Sequence, residues 1–185
     1  KQIAPFFLPA ADAPIIGEHT CRQPFQVFGL IGQSAMSFGA LGDRAITALS
    51  IGLGRAEGTW MNTGEGGLSD YHLKGDVDII FQIGPGLFGV RTEDGAFSLE
   101  EFKKKSELTQ IKAFELKLAQ GAKTRGGHLE GEKVTAEIAA VRNVKAGVSI
   151  DSPNRFNEFQ TPEEMLAFVE LLRETGGKPV GIKLV

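Results

Sequence analysis

Asn62-Thr63-Gly64-Glu65-Gly66-Gly67, reached through the apolar run Gly58-Thr59-Trp60-Met61, sets an amide, a hydroxyl and a carboxylate among three glycines. Ordering so many glycines inside a helix or strand would cost more backbone entropy than any other residue type demands. The stretch is either a glycine-rich surface turn or a place where something approaches the backbone closely. The same grammar recurs at Ser37-Phe38-Gly39-Ala40, Gln82-Ile83-Gly84-Pro85-Gly86 and Gln120-Gly121-Ala122-Lys123. Each cluster ends an apolar, strand-like run, which points to several loops converging on one ligand.

Working outward, 59–62 reads as a strand, and Val77-Asp78-Ile79-Ile80-Phe81-Gln82 as another whose nearly continuous apolar run suits a strand covered on both faces. Further strands are expected at 33–38, 113–119 and 179–185, about five in all. From Asp43, the residues Ile46, Leu49 and Leu53 fall at helical spacing. Ser98-Leu99-Glu100-Glu101 has the form of a capping box, predicting a helix to about Leu108. Thr135 caps a helix over 135–142. Thr161, Pro162 and Glu164 start a last one that Gly176-Gly177 stop, with Met165, Leu166, Phe168, Val169 and Leu172 as its buried face. Residues 1–24 hold four of the eight prolines and read as an extended arm. Alternating strands and helices predict an α/β fold with a parallel sheet, either doubly wound or a (β/α)8 barrel. In both, ligands bind at the carboxyl ends of the strands, where the glycine clusters fall.

Composition narrows the class. The 185 residues carry a net charge of -3 and 42% hydrophobic content, the profile of a globular domain without the basic footprint of a nucleic-acid binder. The single cysteine, Cys21, forms no internal disulfide framework, and His19, His72 and His128 lack metal-ligand spacing. With no apolar run near the roughly 20 residues that span a bilayer, the reading is cytoplasmic. The chain starts at Lys1 rather than Met, which leaves room for a tag, an anchor or an extra domain outside it.

Individual residues carry competing readings. Gly84-Pro85-Gly86-Leu87-Phe88-Gly89 matches GxGxxG after a strand, yet a dinucleotide fingerprint should open a helix at once, and here the next helix signal waits until Ser98. Residues 88–91 read as extended. Lys117 either faces solvent at a strand edge or serves the site. Lys183, at the end of an apolar strand, is positioned to stabilise negative charge on a ligand. Gln82 ends the run Ile79-Ile80-Phe81 with a donor and an acceptor to satisfy. Glu65 is a general acid or ligand anchor, or else hydrogen-bonds the amides of its own loop. Trp60, Tyr71, His72 and Cys21 read as structural.

Taken in order, these strings resemble the FMN-binding synthase domain of glutamate synthase. The matching stretches are Met36-Ser37-Phe38-Gly39-Ala40-Leu41, Asn62 to Gly67, Gln82 with Gly86 to Val90, Glu115 to Lys123, and Ile182-Lys183-Leu184-Val185. Leu87 stands where the large enzymes usually have arginine, and Lys123-Thr124-Arg125-Gly126-Gly127 replaces a longer loop, a pattern closer to the shorter glutamate synthase-related proteins. The resemblance implies a TIM-type (β/α)8 barrel, of which residues 25–185 would be the N-terminal part. It implies reduction of 2-iminoglutarate, made from 2-oxoglutarate and ammonia or glutamine-derived ammonia, to L-glutamate by hydride transfer from reduced flavin. Ser37, Gly39, Ala40, Asn62, Thr63, Gln82, Gln120 and Lys183 would then contact FMN, and Lys183, Lys117 and Glu65 would be catalytic. The electron donor would be ferredoxin or an NAD(P)H-linked partner, the assembly an oligomer, and any iron–sulfur cluster would come from residues beyond Val185. A flavin phosphate in such barrels sits after the seventh and eighth strands, so residues 1–185 alone are expected to bind FMN weakly or not at all. The alternatives are a flavin oxidoreductase for another amino acid, amine or 2-oxo acid, and a non-catalytic barrel scaffold.

Overall fold

The computed structural model describes residues 7–121 and 127–185; the start of the arm and most of the string 120–127 lie outside the described residues. In chain order the elements are β1 (Ile15–Ile16), β2 (Phe25–Gln26), α1 (Phe38–Ala56), β3 (Trp60–Asn62), β4 (Asp78–Ile83), α2 (Leu99–Ser106), β5 (Ile111–Lys117), β6 (His128–Leu129), a 3-10 turn at Gly131–Lys133, α3 (Ala136–Arg142), β7 (Ile150–Asp151), α4 (Pro162–Gly176) and β8 (Val180–Lys183). The protein is a mixed α/β structure built on a four-stranded parallel sheet of order β3-β4-β5-β8. The strands of this sheet follow chain order, with β6 and β7, which pair with each other, intervening between β5 and β8.

The fifth expected strand, 33–38, shrinks to a single parallel bridge between Gln33 and Met61. Beyond it the backbone leaves the ladder, and Ser37 becomes the N-cap of α1. The helix read from Asp43 is preceded by one extra turn. Gly42, at φ 80°, breaks the helical path between the two parts, a backbone state open to glycine at no steric cost. Local signals placed the other helices well. Ser98 Oγ accepts from Glu101 N at the start of α2, and Thr161 with Glu164 closes a full capping box on α4. On α4, Met165, Phe168, Val169 and Leu172 follow the i, i+3, i+4, i+7 stripe. Leu166, one step off that stripe, is 58% exposed rather than buried.

Period-two alternation gives the sheet two unlike faces. Met61, Ile79, Phe81, Ile83, Phe114 and Leu116 pack in one core with Ile46 of α1, Phe102 of α2, and Phe168 and Leu172 of α4. Tilted and edge-on rings join them, with Phe102 and Phe114 centroids 4.5 Å apart. α1 packs on the 72–75 loop backbone to backbone. Ser50 Oγ donates to His72 O and accepts from Gly75 N, and neither Gly54 nor Gly75 has room for a Cβ.

The opposite face holds Trp60, Ile80 and Ala113 at one end and polar side chains at the other. Phe25 and Val27 cover the apolar end, carried there by the β1–β2 ladder. Arg22 and Gln23 fasten that arm to the carbonyls at the end of α4. The end with the strand tips stays open. No helix of the described residues is long and apolar enough to cross a membrane.

Candidate functional site

Register puts five polar side chains on the open face. Gln82 stands opposite Glu115, which stands opposite Gly181, while Lys117 stands opposite Lys183. Asn62 ends the neighbouring strand β3. Glu115 Oε1 accepts from both Asn62 Nδ2 (2.9 Å) and Gln82 Nε2 (2.6 Å), so one carboxylate organises two strand tips. Asn62 Oδ1 in turn accepts from Gly64 N. The fully buried Thr63 accepts from Gln82 N and donates to Gly64 O through its hydroxyl. The glycine loop is thus pinned by the two residues that precede it.

Gly64, at φ 67°, lets the loop turn, and a Cβ there would meet Ser37 N at 2.9 Å. Glu65 does not bond the amides of its own loop. Its Oε1 pairs with Lys117 Nζ at 2.6 Å, in the room left by the missing side chain of Gly84. That pair also decides the reading of Lys117: it is 8% exposed and faces the site. Lys183 is half-buried and forms no ion pair among the described residues. Its carbonyl receives Leu118 N, so the strand tip itself is fixed. Residues 84–90 turn rather than extend, and of 88–91 Arg91 joins an antiparallel bridge, to Phe97. Leu87 N bonds Gly84 O, Val90 N bonds Leu87 O, and no helix begins before Leu99.

Two hollows open here. One, of about 320 Å³, is lined by Met36, Ser37, Gln82, Lys117 and Gln120. The other, of about 200 Å³, lies between the glycine loop and α3 and is lined by Glu65, Phe88, His128, Arg142 and Ser152. Ser37, Ala40 and Glu65 border both. The Ser37 hydroxyl makes no capping bond to α1 and is free for a ligand. Gly39 owes its lack of a side chain to Arg142: a Cβ would meet Nη2 at 2.7 Å. The guanidinium lies over the Phe88 ring, 4.8 Å from its centroid, and forms no ion pair among the described residues. Burial pushes the Arg142 guanidinium below its ordinary value against the opposing pull of Glu65, yet such a group remains a cation at any physiological pH. It is a positive charge facing a cavity.

Behind the loop, His72 is fully buried, with Nδ1 receiving Ser69 N at 3.1 Å. Burial holds its imidazole below the usual histidine range. The described residues contain no cluster of three or more side chains able to hold a metal ion.

The structure therefore gathers Ser37, Ala40, Asn62, Thr63, Glu65, Gln82, Lys117, Gln120 and Lys183 at one end of the sheet, with Gly39 beside Arg142. Glu115, Arg142, Phe88 and His128 were not singled out from sequence. A carboxylate inside the run Phe114–Leu116 was a usable signal for Glu115, of the same kind that marked Lys117. Arg142 offered none, because only the packing of α3 brings it to the glycine loop.

Comparison with known proteins shows the family. The family model described as the conserved region in glutamate synthase matches residues 4–185. The chain is 70% identical over 181 residues to the glutamate synthase large subunit-like protein YerD of Bacillus subtilis, covering 98% of this chain and 34% of that protein. It is 34% identical over 154 residues to the archaeal-type glutamate synthase [NADPH] of Thermotoga maritima, covering 82% of this chain and 28% of that one. The archaeal glutamate synthase [NADPH] of Methanocaldococcus jannaschii is 38% identical over 152 residues, covering 80% and 27%. The chain spans about a third of the length of these relatives. By that match, which takes in both the strand tips and the loops between them, the chain belongs to the glutamate synthase family.

Proposed function

We propose that these residues form the first part of an FMN-binding (β/α)8 barrel that reduces 2-iminoglutarate to L-glutamate. The observation that carries the reading is the sheet face on which Asn62, Gln82, Glu115, Lys117 and Lys183 stand side by side, with Gln82 and Lys117 lining a cavity of about 320 Å³. A sheet whose strand order follows the chain is how a barrel begins, and its ligand end is the carboxyl end of the strands.

The residues present fit a flavin ring. Gln82 keeps its carbonyl oxygen free to accept a hydrogen bond, Ala35, Met36 and Ser37 border the hollow, and Lys183 forms no ion pair among the described residues. FMN, when bound, supplies a hydride at its ring nitrogen and gathers negative charge on the pyrimidine edge. Lys183 would balance that charge. Asn62, Thr63 and Gln82 would orient the ring, with Ser37, Ala40 and Gln120 along its sides and Gly39 keeping Arg142 in place. Lys117, held by Glu65, would add positive potential over the substrate. Arg142 would hold a carboxylate of the 2-oxo acid, since a guanidinium matches that group with two parallel N–H bonds. Ammonia or glutamine-derived ammonia, and ferredoxin or an NAD(P)H-linked donor, complete the reaction proposed for the whole protein.

Purification of the full-length protein tests this. It should carry FMN absorbance and form glutamate from 2-oxoglutarate and ammonium, and Lys183→Ala should release flavin or slow its reduction. Colourless protein that ignores added FMN would refute the reading. Arg142 would serve any 2-oxo acid, so a flavoprotein active on another 2-oxo acid but not on 2-oxoglutarate would favour the second reading.

A further inference from the structure

One titratable side chain in the smaller cavity has no part in the scheme above. His128, on β6, lines the hollow with Arg142, Glu65, Ser37 and Ser152. Its Nδ1 lies 2.7 Å from Asp151 Oδ1 on β7, its register partner. A cross-strand pair of this kind supports a short ladder, and here it is reinforced by the bond from Ser152 N to Gly127 O. Ladder support explains the bond between the two residues; it does not explain why the histidine also borders the cavity that holds the unpaired guanidinium.

Reducing a C=N bond requires a hydride at carbon and a proton at nitrogen. Among the described side chains around this cavity, Arg142 holds its protons at any pH of interest. Glu65 is engaged by Lys117, and the Ser37 hydroxyl is too weak an acid. Histidine is the side chain whose ordinary range brackets neutral pH. Asp151 on Nδ1 fixes the ring and leaves Nε2 for a ligand, the way a carboxylate orients an acting imidazole. The His128 side chain is 55% exposed, so water can return the proton after each turnover.

We propose that His128, oriented by Asp151, donates the proton to the substrate nitrogen in the reductive step. The assignment rests on the reading under Proposed function. As the imine carbon takes a hydride from reduced flavin, the C=N π pair moves to nitrogen and forms an N–H bond with the proton of His128 Nε2. The imine is reduced to the amine, the flavin is oxidised by two electrons, and His128 is left neutral. Asp151 is a positioning residue.

The test uses the FMN-loaded full-length protein with 2-oxoglutarate, ammonium and dithionite as reductant. His128→Gln should lower kcat about 100-fold with KM nearly unchanged and should abolish the alkaline fall in rate that deprotonation of the donor causes. Asp151→Asn should lower kcat less, again with KM nearly unchanged. A His128→Gln protein with wild-type kcat and pH profile overturns the proposal. A second measurement stands apart from turnover: the imidazole ¹⁵N resonances of His128 in the histidine-labelled wild type should move on titration with 2-oxoglutarate, and resonances that ignore it overturn the proposal whatever the activity. Resonances that move in a protein forming no glutamate count against the glutamate reading alone and keep His128 at the ligand.

Discussion

Lys117 donates to Glu65 across 2.6 Å, joining the tip of β5 to the glycine loop after β3. The lysine side chain is 10% exposed and the glutamate 30%, so the pair is unequally wet. Removing the outer partner strands the inner charge. Glu65→Ala should therefore destabilise the protein by about 2–3 kcal/mol, toward the lower end of what breaking a buried pair costs. Glu65→Leu combined with Lys117→Met should recover much of that loss. Urea denaturation of Glu65→Ala and of the double variant checks this.

Glu115 is the shared acceptor of Asn62 and Gln82. In Glu115→Leu both amides lose their acceptor at once, an expected cost of about 2–3 kcal/mol. Glu115→Gln keeps an acceptor oxygen in place and should lose less. Chemical denaturation ranks the two, and on the proposed FMN reading the flavin content of the full-length protein should fall in the same order.

Gly39→Ala separates folding from binding. The new Cβ would press on Arg142 Nη2, the free end of a flexible side chain, so the guanidinium can swing away at little cost to the fold. Stability should change by less than about 1 kcal/mol. On the proposed role of Arg142 as the holder of the substrate carboxylate, KM for the 2-oxo acid in the full-length protein should rise at least tenfold. Thermal melts and steady-state kinetics on the same preparation read both quantities.

Gly54→Ala should do the reverse. In an open helix this change would gain about 1 kcal/mol from propensity. Here the methyl group would overlap Gly75 O, a backbone atom that cannot step aside. A net loss of about 1–3 kcal/mol is expected from the overpacking, visible as a lowered Tm.

His72 makes stability depend on pH. Burial keeps its folded-state pKa below the ordinary value, so the unfolded chain binds the extra proton. Its contribution is complete above about pH 6.5 and is lost as the pH falls from there toward the depressed value, by at most about 1.4 kcal/mol per pH unit. His72→Gln should be less stable at neutral pH yet lose less on acidification. Comparing Tm for both proteins at about pH 7.5 and pH 5.5 gives the difference, which removes the carboxylates common to the two.

What the chain of residues determined alone was local. Thr161-Pro162 with Glu164 and Gly177, or Ser98 with Glu101, fix helix ends through bonds to backbone a few residues away. The run 77–82 marks a strand by its own apolarity, and the glycine loops mark where backbone must turn or be approached. These signals sufficed for the α/β pattern, the strand tips and the family resemblance. They did not separate 33–38 from a true strand, because the departure at Ser37 answers to contacts with the 62–64 loop. Nor did they show that Glu65 belongs to Lys117 rather than to its own loop. Only the tertiary structure decided which distant residues share a face. Parallel register places Glu115 beside Asn62 and Gln82, and the packing of α3 and the β6–β7 pair brings Arg142 and His128 to one hollow. Pairings between segments 20 to 100 residues apart depend on how whole elements dock, and a side chain's own sequence neighbours carry no record of that.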